Sequence, residues 1–147
     1  MIAETIDRLI YLCEFIPPLL LKIDRVQFSE KPSAKKWSRK EILGHLIDSA
    51  TNNHQRFVRV QFENEPSIWY KQDQWVEFSY HQQIDTNQLI SFWETYNRYL
   101  AVLLRTIPLE MLQRRCVMKD GSVVTLEFLV NDYVTHLEHH LRQIVEY

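Results

Sequence analysis

Apolar residues recur at three- and four-residue intervals through most of this chain, the period of a helix with one face turned to a core. The pattern predicts a first helix over residues 2–15, with Ile6, Leu9, Ile10 and Cys13 on one face. Pro17-Pro18 is expected to break it, since proline lacks an amide proton and crowds the preceding turn, with a short helical restart through Ile23. A polar link over 29–36 leads to Ser38 and Glu41, which stand three apart as a capping box and predict a second helix from Arg39 to about Gln61. A third is expected over about 86–107, capped by Asp85 and carrying Leu89, Trp93, Tyr96, Leu100, Leu103 and Ile107 at helical spacing. A last one, capped by Thr125, fills the stretch to Tyr147, and residues 116–124, with Asp120-Gly121 at their centre, read as a short hairpin.

Helices two and three are separated by residues 62–84, which hold Trp69, Tyr70, Trp75, Phe78, Tyr80 and His81. An antiparallel pair of helices needs only a few connecting residues, so this aromatic stretch is expected to cross the bundle or cover one end as an ordered loop. With only two glycines, Gly44 and Gly121, the chain is expected to be all-α. Its 147 residues, 46% hydrophobic, suit a single domain over 1–147. Lys and Arg number 17 against 19 Asp and Glu, a formal charge of -2, so neither nucleic acid nor an anionic membrane surface is an expected partner. No leader-like segment and no run near the ~20 apolar residues of a membrane span is found, and a cytoplasmic protein is expected. Cys13 and Cys116 form no CxxC pair and suggest neither a disulfide framework nor a cysteine zinc cluster. The aromatic content of 12% makes a homodimer an expectation without indicating the face.

The candidate chemistry lies in His136-Leu137-Glu138-His139-His140. Residues four apart share a helix face, so His136 and His140 can offer two imidazoles to one ion, while His139 turns toward solvent. A third ligand is sought on the second helix, where Ile42, Leu46, Ala50, Asn53, Phe57 and Val60 make the core stripe. His45, Ser49, Asn52 and Arg56 form a polar line along its edge, and His45 is the candidate. His54 points about 180° away from it. Three neutral nitrogens would leave a divalent metal an open coordination position. The competing reading is a row of ordinary hydrogen-bonded histidines beside a solvated polar face.

Trp37-Ser38 through Gly44-His45-Leu46-Ile47-Asp48-Ser49, followed by 52–56, resembles the W-S-x-x-E-I-L-G-H-L-x-D-S signature of the DinB-like (YfiT-like) superfamily. The ending His136 to Ile144 resembles its H-x-x-H-H-x-x-Q-I element, and Tyr70 to Val76 is similar with less diagnostic force. The resemblance implies a four-helix bundle of up-down-down-up connection, which would account for the long crossover between helices 2 and 3. It also implies a three-histidine site for zinc or nickel whose ligand positions fall on His45, His136 and His140. Members with assigned activities are metal-dependent hydrolases or transferases of low-molecular-weight thiols such as bacillithiol and mycothiol.

Three functions follow as expectations. In the first, the chain is a divalent-metal-dependent S-transferase: the metal deprotonates a small thiol and delivers it to an electrophile. There Arg56, or Lys71 and His81 of the crossover, would hold a carboxylate of the thiol, and Trp69 and Trp75 would exclude water. In the second, a metal-bound water hydrolyses an ester or amide with Asp48 as base. In the third, the metal only staples helices two and four of a stress-related binding or dimerisation module.

Overall fold

Ser38 Oγ accepts the Glu41 amide at 3.0 Å while the Glu41 carboxylate receives the Ser38 amide at 3.1 Å, so helix α3 (Arg39–Arg59) begins where the capping box places it. The computed structural model describes residues 2–147, in which α1 (Ile2–Leu21), α2 (Arg25–Ser29), α4 (Gln72–Ser79), α5 (Thr86–Thr106) and α6 (Leu126–Ile144) complete the helices. Asp85 caps α5 through the Gln88 amide and Thr125 caps α6 through the Phe128 amide, as expected. The hairpin is also present, as β1 (Arg115–Val117) paired antiparallel with β2 (Val123–Thr125), and Gly121 takes the φ of 86° that its turn requires.

Side-chain bonds between helices define the topology. Thr5 meets Asn131 and Arg8 meets Glu138, so α1 and α6 run the same way. Arg98 reaches the Cys13 carbonyl and Arg105 pairs with Asp7, so α5 runs against α1. Phe57 packs on Tyr133 while His45 packs on His140, so α3 runs against α6 and parallel to α5. The bundle is therefore all-α and up-down-down-up, and the chain must cross its length between α3 and α5. Leu9, Leu12, Ile16, Leu46, Phe57, Trp93, Leu100, Leu129 and Leu137 fill the shared core. Among the described residues no helix is long and apolar enough to cross a membrane.

Three expectations need correction. Pro17-Pro18 do not end the first helix, which continues to Leu21. Proline at 17 removes the amide that would bond the Cys13 carbonyl, and the Arg98 guanidinium donates to that carbonyl instead, at 3.4 Å. Burial of Ile16, Pro17 and Leu20 offsets the remaining cost. The restart is also displaced: Asp24 accepts from the Val26 and Gln27 amides and opens the separate turn α2. The crossover, finally, is no plain loop, since it contains α4 and a 3-10 turn at His81–Gln83, with Tyr80 in the left-handed region at φ 54° between them.

Gly44 shows how the crossover seats on α3. A Cβ on Gly44 would lie 2.2 Å from a ring carbon of His81, so only glycine admits that ring against the helix. Alanine is intrinsically better in a helix by about 1 kcal/mol, yet Gly44→Ala is expected to destabilise the protein by about 1–3 kcal/mol through overpacking. Thermal unfolding should fall by about 5 °C, and an unchanged or higher midpoint would contradict this packing.

Candidate metal centre

The polar line of α3 is not solvated. His45, Asp48, Ser49, Asn52 and Arg56 are all buried, because the crossover lies over them and α6 closes the other side. His45 is 1% exposed and packs, with the ring planes tilted, at a ring distance of 4.9 Å against Trp37, the residue ahead of the α3 cap. From α6, His136 and His140 project toward it one turn apart. His45 Nε2 lies 3.5 Å from His136 Nε2, which lies 3.1 Å from His140 Nε2, and the three potential ligand atoms all fall within 4.8 Å of one another. His139 is exposed and His54 bonds Tyr96 on α5, so both stand outside the cluster.

Two imidazole nitrogens bound to one tetrahedral zinc at about 2.0–2.1 Å stand roughly 3.3 Å apart. The 3.1 and 3.5 Å separations bracket that edge, so the donor set fits a divalent ion. The electrostatics agree with the geometry. Burial, reinforced by the neighbouring rings His136, His140 and His81, lowers the His45 pKa to about 3. Burial with His140 and His139 lowers that of His136 to about 4, and His140 is lowered too, chiefly by burial. Near neutral pH all three are therefore uncharged and offer lone pairs. Gln143 Oε1 stands 2.9 Å from His140 Nδ1 and can accept its proton, which directs Nε2 toward the cluster, and the Tyr70 hydroxyl lies 3.4 Å from His45 Nδ1.

A cavity of about 160 Å³ opens beside His136. Ser49, Asn52, Asn53 and Arg56 of α3, Trp69 and Tyr70 of the crossover, and Asp132 and Tyr133 of α6 line it. Lys71 and Trp75 line an adjoining hollow with Asp48, which shares Asn52, Trp69 and Tyr70 with the first. His81 is buried with its Nε2 3.2 Å from Asp48 Oδ2. Tyr70, Trp37 and Asp132 were missed as site residues. For Asp132 a signal existed, since it precedes His136 by four positions on the same face; Tyr70 and Trp37 reach His45 only through the tertiary fold.

The fold and site together are a helical bundle in which helices from opposite ends of the chain bring three neutral imidazoles, a set that could hold a metal ion, together beside a small cavity. Residues 16–144 match the DinB superfamily, and the chain belongs to that family. YfiT of Bacillus subtilis, named as a putative metal-dependent hydrolase, is 31% identical over 113 residues, 75% of this chain and 63% of its own length. Another protein named as a putative metal-dependent hydrolase, from Halalkalibacterium halodurans, is 22% identical over 127 residues, 86% of this chain and 74% of that one. The solved YfiT structure, described as an unusual four-helix bundle, superposes with a TM-score of 0.80 at 25% identity, covering 95% of this chain and 83% of YfiT. A mycothiol-dependent maleylpyruvate isomerase superposes at 0.81 over the whole chain and 62% of its own, and at 12% identity shows the fold alone.

Proposed function

We propose that this chain is a divalent-metal-dependent enzyme acting on a small molecule, with His45, His136 and His140 as ligands of zinc or nickel, and that it transfers a low-molecular-weight thiol. The observation that carries the reading is the convergence of three uncharged imidazoles beside an open cavity. When bound, such an ion supplies a Lewis acid that lowers the pKa of a thiol or water. The protein's own groups do the rest. Gln143 and Tyr70 orient the imidazoles, Trp69 narrows access of water, and burial keeps the ligands unprotonated. Thiol transfer is favoured over hydrolysis because the cavity holds no buried carboxylate to act as base, and Asp48 is committed to His81.

Hydrolysis is the second reading, supported by the names of the relatives and by Asp132 at the cavity wall, with Asp48 the further candidate on the neighbouring hollow. The two separate in one experiment. Cobalt-loaded protein mixed with cellular thiols should develop a cobalt–thiolate absorption and a metal-dependent reaction with a chromogenic electrophile. Ester or amide cleavage without either signal, lost in Asp132→Asn or Asp48→Asn, would establish hydrolysis in its place. The purely structural reading, in which the ion staples α3 to α6, is weakened by the apolar contact those helices already make through Leu46, Phe57, Tyr133 and Leu137. Unfolding of the protein on chelation would restore it.

A further inference from the structure

Arg56 is 9% exposed, yet among the described residues no carboxylate lies within ion-pair distance of its guanidinium. Its Nε donates to the Ile68 carbonyl at 2.8 Å and its Nη1 to Asn53 Oδ1 at 3.4 Å. A guanidinium carries five N–H donors, so three remain, on a side chain that walls the cavity beside His136. Burial works against the protonated form of Arg56, and the field of Asp132 across the cavity offsets that only in part, without a direct ion pair. One turn earlier on the same face, Asn52 is likewise 9% exposed and lines the cavity. Its amide has no hydrogen-bond partner among the described residues, since the bonds of this region run between Asn53 and Ser49 and between Arg56, Ile68 and Asn53. The Tyr70 hydroxyl stands on the same wall.

We infer that this cavity receives a small carboxylate, taken by Arg56 and Asn52, whose opposite end is presented to the histidine cluster at His136. The inference rests on the metal-dependent reading for what happens at that far end, and it narrows the substrate to a small carboxylate-bearing molecule. The size agrees: about 160 Å³ is close to the ~150 Å³ that holds a benzene-sized molecule. The charge agrees as well. Arg56 lies nearer to charge balance with Asp132 in the lining, so a ligand of one negative charge that bonds the guanidinium directly is accommodated better than a dianion such as phosphate, which Asp132 repels more strongly. Lys71 lines the adjoining hollow rather than the wall beside His136, and His81 is bonded to Asp48.

The test follows the Arg56 Nε–H and the Trp69 indole N–H by NMR while propionate, propionamide or inorganic phosphate is added to protein with and without zinc. Propionate should shift both signals saturably and bind at least about tenfold more tightly than propionamide, the margin of a charge-assisted bond. Phosphate should bind more weakly than propionate. Arg56→Met should lose about tenfold or more in propionate affinity. Because that change also removes the Ile68 bond and can impair folding, Asp132→Asn provides an independent arm: it leaves Arg56 in place and should tighten propionate about threefold at low ionic strength. Equal binding of acid and amide, or no tightening in Asp132→Asn, would overturn the inference. So would propionate binding that needs zinc and survives Arg56→Met, which is coordination by the ion. Propionate binding without zinc holds even if the histidines take no metal, and zinc binding holds even if propionate does not, so the two readings fail separately.

Discussion

Replacing His136 by alanine lowers the affinity for zinc by more than about a hundredfold while the protein stays folded. His136 is central to the cluster, its Nε2 lying 3.5 Å from that of His45 and 3.1 Å from that of His140. The other two nitrogens then remain as a pair without the edge that joins them. A partner that only orients a ligand contributes less, about 10–100-fold, so Gln143→Ala should fall between wild type and His136→Ala. The fold is expected to survive because His136 lies at the margin of the α6 stripe, while Leu129, Tyr133, Leu137 and Leu141 carry the packing. Competition titration against a chromogenic chelator measures all three proteins. Equal zinc affinity in wild type and His136→Ala would remove the site.

The second large effect is on stability and concerns Asp48. Asp48 and His81 are buried against each other at 3.2 Å, and the His81 ring is wedged over Gly44. Asp48→Ala leaves a buried imidazole nitrogen without its partner and a void beside it. The expected loss is about 2–3 kcal/mol, or about 5–10 °C in the unfolding midpoint of a chain of this length. Asp48→Asn keeps shape and a hydrogen bond and should lose less. The damage should spread along the crossover, so Tyr70, which sits on His45, is expected to loosen and zinc affinity to fall by less than about tenfold. A midpoint unchanged in Asp48→Ala would show that the pair does not hold the crossover on α3.

What could be seen in the chain beforehand follows a physical division. The caps Ser38, Asp85 and Thr125 and the turn at Gly121 are local devices, each acting within three residues, and each helix or hairpin starts where its device stands. The pairing of His136 with His140 is local in the same sense. Pro17-Pro18 misleads because the carbonyl that Pro17 leaves free is satisfied by Arg98, 85 positions away. α4 was not visible because Lys71, at its start, offers no side-chain cap and its eight residues bury only Val76. The burial of the polar edge of α3 depends on the crossover lying on it, and so does the contact of Tyr70 with His45. Hence the histidines were legible as a set, whereas the donors around them, and the bond that turns His81 to Asp48, were not.

X-ray absorption of the zinc-loaded protein is the most direct measurement of the central claim. The expected spectrum shows three imidazole nitrogens at about 2.0–2.1 Å with a further light ligand in the open position. A spectrum with fewer than three imidazoles, or one unchanged in His45→Ala, would contradict it.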